Sequence, residues 1–369
     1  MKKSVIKMYV VLFAAFICLP RLFWMAFGKY ADSGNYENRA LAQKPAFHIR
    51  SYENYPREFE AFFNDTLPFR NELISLNSWM NYRIFRTSVN ENVVIGKDKW
   101  LFYDAFSDGD PMGDYEGNHT FSDEELERME DACLNVQNRL GETGIELAII
   151  IPPNKERVYG RFMPERYTAS ETSRTDRMIE RLEAGGVPII NPKDALLERQ
   201  EEYELYYPYD THWNQLGGYV GTCTVLNSWG IETMDLDELT VLPSRRSNDD
   251  LANMLNLGDS VFNDGTEYTI QGEYDREGVQ MADGLVHLKN PSAACDKTVF
   301  LLGDSYRTAM RAALCLYFTD VYVAEYDRYA WSMIEEARPD YLIVEYVERN
   351  SARLAGIEEL VFRQGEESP

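Results

Sequence analysis

The chain has 369 residues, of which 61 are acidic and 37 are basic, so its formal net charge at pH 7 is −24. This acidity argues against nucleic acid as a partner, because binding a phosphate backbone requires clustered Lys and Arg. Apolar residues make up 44% of the chain, which excludes disorder as its main state and is enough for a substantial core.

The first 30 residues differ from the rest of the chain in charge and hydropathy. They carry five basic residues and no acidic one, and an apolar run over 8–19 continues at 22–27. Because lysines precede this run, the positive-inside rule predicts a cytoplasmic amino end and an extracytoplasmic body. Two interpretations stay open: a single-pass signal anchor over 1–30, which would hold the chain in the cell membrane, and a cleaved signal peptide, which would make it secreted.

The elements beyond this segment fall into two parts. Residues 31–118 have mixed periodicity and form the predicted amino-terminal part of the ectodomain, whereas 119–369 alternate regularly between strands and helices. A capping box at Ser122 and Glu125 predicts where the first helix of the second part begins. In chain order, the elements predicted up to residue 229 are helices at 52–63 and 70–85, a strand-like stretch at 92–103, a helix at 122–140, a strand at 146–152, a helix at 170–184, a strand at 187–191, and helices at 193–202 and 217–229.

The alternation returns near the carboxyl end of the chain. The predicted elements there are strands at 298–302, 321–326 and 341–347, with helices at 307–317 and 331–337 between them. Such alternation predicts an α/β domain with a mostly parallel sheet and helices on both faces. In sheets of this kind the ligand site lies at the carboxyl ends of the strands.

A serine follows one of these strands at such an end. Gly303-Asp304-Ser305 stands between the strand at 298–302 and the helix at 307–317, which predicts an exposed hydroxyl. Backbone N–H groups at the helix start point to the same place, where they can stabilise an oxyanion. The alternative is that Ser305 only caps the helix. A second Gly-Asp-Ser at 258–260 follows a helix-like stretch, and Ser260 is predicted to be a surface turn residue.

A serine nucleophile requires a base, and the chain has four histidines. His212 stands two residues after Asp210 in a polar aromatic loop, so Asp210 can orient the imidazole while His212 takes the serine proton. The alternative is an ordinary surface histidine beside an aspartate. His48, His119 and His287 lack a carboxylate placed in this way and are interpreted as structural or solvent-facing. No metal site and no cofactor are predicted, because the histidines are scattered and the five cysteines form no ligand pattern.

These motifs resemble those of a known family. Asp210-Thr211-His212-Trp213-Asn214, followed by Leu301-Leu302-Gly303-Asp304-Ser305-Tyr306, resembles the alginate O-acetyltransferase-type SGNH hydrolase-like family and the closely related DHHW family. Thr211 departs from the DHHW signature, which has a second histidine there. Further landmarks across about residues 35–350 are Glu37-Asn38-Arg39-Ala40-Leu41 with Pro45, Phe63-Asn64-Asp65 with Pro68-Phe69-Arg70, the stretch 94–102, Ile151-Pro152-Pro153-Asn154-Lys155, and Glu345-Tyr346-Val347-Glu348-Arg349.

The resemblance implies an SGNH-hydrolase-like domain with defined roles for three residues. Ser305 would be the nucleophile, His212 the general base and acid, and Asp210 the residue that orients it. It also implies a polysaccharide acceptor and an acetyl donor supplied by a membrane-bound O-acyltransferase partner. Further residues placed by sequence near the strand ends are candidates for substrate or oxyanion contacts, with surface salt bridges or simple packing as the alternative: Asn154, Lys155, Trp213, Tyr306, Arg328 and Arg349.

Three functions are consistent with these features. The first is O-acetyl transfer to a cell-surface or secreted polysaccharide through an acyl-enzyme. The second is a carbohydrate esterase that uses the same three residues with water as the acceptor; sequence does not separate the two, because acceptor choice depends on water exclusion. The third is a non-catalytic polysaccharide-binding protein, against which the presence of Asp210, His212 and Ser305 together counts.

Overall fold

A computed structural model describes residues 3–30, 40–47, 52–67, 69–258, 260–275, 278–281 and 284–364. His48, Pro68, Asp259 and residues 37–39 lie outside the described residues. The helices in these ranges are α1 Lys3–Phe27, α2 Tyr55–Asp65, α3 Arg70–Met80, α4 Pro111–Tyr115, α5 Asp123–Glu142, α6 Lys155–Val158, α7 Arg174–Ala184, α8 Lys193–Arg199, α9 Gln215–Ser228, α10 Asp250–Met254, α11 Arg307–Tyr317, α12 Trp331–Ala337 and α13 Ile357–Val361. The strands are β1 Val93–Ile95, β2 Leu101–Tyr103, β3 Glu146–Ile150, β4 Ile189–Ile190, β5 Val241–Arg245, β6 Thr266–Ile270, β7 Val279–Gln280, β8 Val286–Lys289, β9 Cys295–Gly303, β10 Phe318–Glu325 and β11 Tyr341–Glu345.

The chain divides into two compact units, Met1–Asn90 with Ala252–Val261, and Glu91–Leu251 with Phe262–Pro369. The domain boundaries that the sequence places after residues 30 and 118 stay predictions.

Helices make up most of the secondary structure described in the first unit. α2 begins after Asn54 with a proline in its first turn, a position where the missing N–H costs nothing. α3 continues into a π-helix over Asn81–Phe85, so the predicted helix at 70–85 is helical along its whole length. Among the described residues, no helix combines the length and hydropathy needed to cross a bilayer. The membrane segment expected over 1–30 therefore stays a prediction, and the structure places α1 there.

A seven-stranded sheet forms the centre of the second unit. Its order is β4-β3-β11-β9-β10-β8-β7, and the first five of these strands are parallel to one another. β8 pairs antiparallel with β10, and β7 pairs antiparallel with β8. The predicted α/β sheet is confirmed as a mixed sheet that is parallel except at one edge.

Helices cover both faces of this sheet, as predicted. Along β9, Val299 and Leu301 belong to a core that also contains residues of α9 and α11. Phe300 and Leu302 belong to the core on the opposite face, with residues of α5, α7 and α12. A strand buried on both faces needs a continuous apolar run rather than an alternating one, and Val-Phe-Leu-Leu satisfies this requirement.

Candidate active site

The turn Gly303-Asp304-Ser305 (the serine turn) lies at the carboxyl end of β9, the middle strand of the seven-stranded sheet. β9 pairs with β10 on one side and β11 on the other, and α11 begins two residues after Ser305. Gly303 has no room for a side chain, because a Cβ there would lie 2.5 Å from Oε2 of the buried Glu345. Ser305 is exposed, as the sequence predicts.

The carboxylate of Asp304 holds this turn in place. Its Oδ1 accepts the N–H of Tyr306 at 3.0 Å, and its Oδ2 accepts the N–H of Val347, beyond β11, at 3.1 Å. The N–H of Tyr306 is therefore already engaged, which corrects the expectation that the N–H groups at the helix start point freely at the reacting atoms.

Hydrogen bonds join the three residues assigned to the triad. Nε2 of His212 lies 2.7 Å from Oγ of Ser305, and Nδ1 of His212 lies 2.6 Å from Oδ1 of Asp210. The N–H of His212 also donates to this Oδ1 at 3.0 Å. An aspartate and a serine on opposite nitrogens of one imidazole form the geometry that general-base activation of a hydroxyl requires.

Burial, hydrogen bonds and neighbouring charges together determine the pKa values of Asp210 and His212. Burial alone would raise the pKa of Asp210, but its hydrogen bond to His212 and the charges of His212 and Arg246 hold the pKa well below its usual range. Burial alone would lower the pKa of His212, but its hydrogen bond to Asp210 and the charges of Asp210 and Asp250 raise the pKa above 6.5. Asp210 is therefore ionised at neutral pH and stabilises the imidazolium.

Arg246 is a component of the site that sequence reasoning missed. Its guanidinium donates to Oδ2 of Asp210 at 3.0 Å, to Asp249 at 2.6 Å and to Glu267 at 2.6 Å. It also lies 3.6 Å from the ring centroid of Tyr207, in a cation–π contact. The acidic run after Arg246 in Arg246-Ser-Asn-Asp-Asp250 was the available signal, although no periodicity linked it to Asp210.

Lys155 holds the loop at 207–214 that carries His212 (the histidine loop). The sequence predicted that it reaches the cleft, but it does not. It is 3% exposed, and its Nζ donates to the carbonyls of Tyr207, Pro208 and Asp210 at 3.1, 3.2 and 2.6 Å. Burial lowers its pKa to about 8, so the amine is largely charged at pH 7. The sequence correctly placed Lys155 beyond β3, but its charge is used on the protein's own backbone.

Three further candidates are buried around the site. Asn154 is 3% exposed and does not line the cavity, and its N–H donates to Glu348 at 2.9 Å. The indole of Trp213 donates to the carbonyl of Tyr306 at 2.9 Å, and the hydroxyl of Tyr306 donates to the carbonyl of Thr211 at 2.6 Å. Trp213 and Tyr306 both line the cavity while fastening the histidine loop to the serine turn.

The two arginine candidates lie in different surroundings. Arg328 is exposed beside Gly284 and does not line the cavity, although the strand before it is a neighbour of the serine strand. Arg349 is largely buried, donates to Asp108 at 3.2 Å, and lies 5.7 Å from the ring centroid of Tyr306. The structure therefore brings Arg349 next to the site and leaves Arg328 outside it.

A cavity of about 400 Å³ opens beside Ser305 and His212. One wall comes from the first turns of α11, and the opposite wall from the histidine loop with Arg246 and Glu267. Its lining residues are Tyr207, His212, Trp213, Gln215, Arg246, Glu267, Ser305, Tyr306, Thr308, Ala309 and Arg311.

The remaining described histidines are also paired with carboxylates, but with carboxylates that lie far from them in sequence. His119 lies 2.7 Å from Asp110, and His287 lies 2.7 Å from Asp320. Neither of the two lines the cavity, and no hydrogen bond joins either of them to a serine among the residues the structure describes.

One group of side chains has ligand atoms close enough for a metal ion. Atoms of Asp210, His212 and Asp250 lie within 4.8 Å of one another. Nδ1 of His212 is on Asp210, Oδ2 of Asp210 is on Arg246, and Asp250 accepts from Thr211. Because hydrogen bonds engage all three side chains, the triad geometry accounts for the cluster without a metal.

The chain is similar to known proteins in sequence and in fold. Residues 93–313 match the model of the SGNH hydrolase-like domain of the acetyltransferase AlgX. The probable alginate O-acetylase AlgJ of Pseudomonas aeruginosa is 27% identical over 160 residues, which are 43% of this chain and 38% of that protein. The chain thus spans less than two fifths of the length of this relative.

Two solved structures share the fold. PatB1 of Bacillus cereus superimposes with a TM-score of 0.50 at 14% identity, over 71% of this chain and 96% of that one. A DHHW family protein of Eubacterium siraeum gives a TM-score of 0.50 at 14% identity, over 72% and 98%. The resemblance predicted from the motifs is confirmed. Because the family model matches more than half of its residues, the chain belongs to the family of the SGNH hydrolase-like acetyltransferase domain of AlgX.

Proposed function

We propose that the protein is an O-acetyltransferase that moves an acetyl group to a hydroxyl of a polysaccharide, with Ser305 as the nucleophile. The observation that carries this proposal is the hydrogen-bonded series Asp210, His212 and Ser305 at the cavity, in a chain of an acetyltransferase family.

The reaction proceeds in two half-steps. As Oγ of Ser305 attacks the carbonyl carbon of the acetyl donor, Nε2 of His212 accepts the hydroxyl proton. The tetrahedral intermediate collapses, His212 returns the proton to the leaving group, and an acetyl ester remains on Ser305. In the second half-step, His212 takes a proton from the acceptor hydroxyl, whose oxygen attacks the ester, and then returns it to Ser305. Asp210 stabilises the imidazolium in both half-steps.

Similarity to known proteins supports the choice of acceptor and donor. The AlgJ relative is a probable alginate O-acetylase, which supports a polysaccharide hydroxyl as the acceptor. The donor would be supplied by a membrane-bound O-acyltransferase, as the motif resemblance implies.

A carbohydrate esterase is a second candidate, and one observation favours it. Ser305 is exposed, so water reaches the ester that forms on it unless a bound acceptor covers the site. Hydrolysis and transfer differ only in which hydroxyl attacks in the second half-step.

Mass spectrometry of the purified full-length chain with a chromogenic acetyl ester tests the proposal. With an oligosaccharide present, we expect one acetyl group on the peptide that contains Ser305 and acetylated sugar among the products. Acetate release with no sugar product would indicate an esterase. Ester turnover that is the same after Ser305→Ala would contradict both functions.

We also propose that the amino-terminal segment places the catalytic unit outside the cytoplasm. The support is the apolar run that follows a lysine-rich start. A protease added to intact cells should then digest the chain, and the mass of its amino-terminal peptide should separate an anchor from a cleaved signal. A chain that is cut only after lysis would contradict this proposal.

A further inference from the structure

Thr211 stands between the aspartate and the histidine of the site and is itself held by Asp250. Oδ1 of Asp250 accepts the N–H of Thr211 at 2.8 Å, and Oδ2 accepts the Thr211 hydroxyl at 2.5 Å. The N–H of Asp250 donates to Oδ2 of Asp210 at 3.1 Å. Asp250, the first residue of α10, therefore contacts two consecutive residues of the histidine loop.

The carboxylate of Asp250 also lies close to the imidazole. Its Oδ2 is 3.8 Å from Nδ1 of His212, the nitrogen that bonds Asp210. Oγ1 of Thr211 lies 3.2 Å from the same nitrogen. Because the Thr211 hydroxyl donates its proton to Asp250, its lone pairs are free to face an Nδ1–H. Two carboxylates therefore act on one nitrogen, Asp210 directly and Asp250 through a hydroxyl.

The other charges around His212 decide how much the carboxylate of Asp250 contributes to stabilising the imidazolium. Arg246 bonds Asp210 and offsets part of its negative charge. Arg349, beyond β11, opposes the protonation of His212, and the uncharged ring of Tyr306 packs at 5.1 Å. Among the described residues, Asp250 forms no ion pair with a lysine or arginine. The buried ammonium of Lys155 interacts with its charge at longer range, and the His212 imidazolium is the cation that lies nearest to it in the site.

We propose that Asp250 is a positioning residue of the active site, which holds Thr211 in place and supplies a second negative charge to the His212 imidazolium. This inference rests on the proposed function, in which that imidazolium forms as Ser305 attacks. It does not require Asp250 to touch the substrate.

Asp250→Asn tests the inference in the full-length chain, because the amide oxygen still accepts the N–H of Thr211 while the charge is lost. The titration of His212 is followed by NMR of ring-labelled histidine and assigned with His212→Gln. We expect the midpoint to fall, because a negative charge near the imidazolium is removed. The kcat for an acetyl ester should fall about tenfold at unchanged KM, well short of the ~10⁴-fold loss on disabling a primary triad carboxylate.

Asp320→Asn is the matched control, because it removes the carboxylate from the His287 pair. It should leave both the His212 midpoint and turnover unchanged. An unchanged His212 midpoint in Asp250→Asn would overturn the inference, since a purely structural role lowers turnover without moving the midpoint. If this variant does not fold, Asp250→Ser takes its place, because it also removes the charge: a lower midpoint supports the inference and an unchanged one overturns it. The titration needs no turnover, so failure of the proposed function stays distinguishable.

Discussion

Ser305 is the residue on which the proposed chemistry depends. Because its side chain is exposed, a substitution there tests the chemistry without disturbing the core. We expect Ser305→Ala to lower acetyl-ester turnover by about 10⁴-fold or more, because the attacking oxygen is lost. Its stability should change by no more than about 0.5 kcal/mol, since no buried contact is removed. Turnover and urea unfolding of the purified chain measure the two effects.

Ser260→Ala is the control for this prediction, because Ser260 ends the second Gly-Asp-Ser of the chain. It should leave turnover unchanged. If Ser305→Ala keeps its turnover of the ester, or loses no more turnover than Ser260→Ala, Ser305 is not the nucleophile.

We expect His212 to set the pH dependence of the proposed activity. Its pKa lies above 6.5, because the hydrogen bond to Asp210 and the charges of Asp210 and Asp250 outweigh the effect of burial. Since the neutral imidazole is the base, kcat/KM should rise with pH through a midpoint above 6.5. The stability that the group contributes has the opposite sign: it is complete below pH 6.5 and is lost as the pH rises through the native pKa.

A kcat/KM profile measured from pH 5 to 8 tests this expectation, with His119→Gln as the control that leaves the profile unchanged. A midpoint at or below 6.5 would show that the hydrogen bond to Asp210 and the charges of Asp210 and Asp250 do not outweigh the effect of burial.

At the residue scale, the sequence predicts what a local pattern encodes. Ser305 was identifiable because a strand, a glycine and a helix surround it, and His212 because Asp210 is two residues away. Arg246 and Asp250 are 36 and 40 residues from Asp210, in a stretch without clear periodicity, and only the fold brings them together. Lys155 has the right position but the wrong role, because sequence does not distinguish a lysine that faces the cleft from one that faces backbone carbonyls.

At the element scale, the helix that carries the serine turn packs closely against α9. A Cβ on Gly218 would lie 2.6 Å from the backbone carbonyl of Ala309, so α9 and α11 meet through a position that only glycine fits. We expect Gly218→Ala to lower the free energy of unfolding by about 1–3 kcal/mol, because the helices must separate. Turnover should fall as well, since α11 begins two residues after Ser305.

Gly141→Ala in α5 is the matched control, because nothing lies within 4 Å of the added Cβ. This variant should gain up to about 1 kcal/mol from helix propensity. Urea denaturation of both variants measures the difference, and equal stabilities would show that the contact between α9 and α11 tolerates a methyl group.

Predicted elements agree best with the structure where the sequence has clear starts and stops. The helices at 307–317 and 331–337 have the predicted bounds, and the capping box at Ser122 opens α5 as expected. The strand predicted at 187–191 contains only β4, because it lies at the sheet edge and pairs with β3 over two residues. The hairpin of β5 and β6 was missed, because β5 is largely exposed and contains a proline.

At the scale of the whole molecule, the net charge of −24 predicts how salt changes the binding of an anionic acceptor. An anionic oligosaccharide is repelled at long range, and salt screens this repulsion as the Debye length falls from about 30 Å at 0.01 M to about 8 Å at 0.15 M. We therefore expect the KM for an anionic acceptor to fall over that range, while the KM for a neutral acceptor stays constant.

Steady-state transfer rates at matched pH test this expectation, with the neutral oligosaccharide as the control. A KM for the anionic acceptor that rises with salt would mean that local cations such as Arg246 and Arg311 outweigh the net charge.

The fold class was predictable at this scale because strand and helix alternate in the second unit, and the family because its motifs span most of the chain. The antiparallel edge of β8 and β7 was not, since short strands with few buried residues give no distinct pattern. The membrane segment over 1–30 is predicted from charge and hydropathy, and it stays a prediction.

The charge of Lys155, which holds the histidine loop, predicts an alkaline limit to the proposed activity. As an ammonium, Lys155 has three protons for the three carbonyls that it holds, and as a neutral amine it has two. Above about pH 8, where it loses its charge, one carbonyl of the loop is left without its donor. We expect activity to decline as the pH rises above about 8, because a buried lysine outside the cavity then loses its charge.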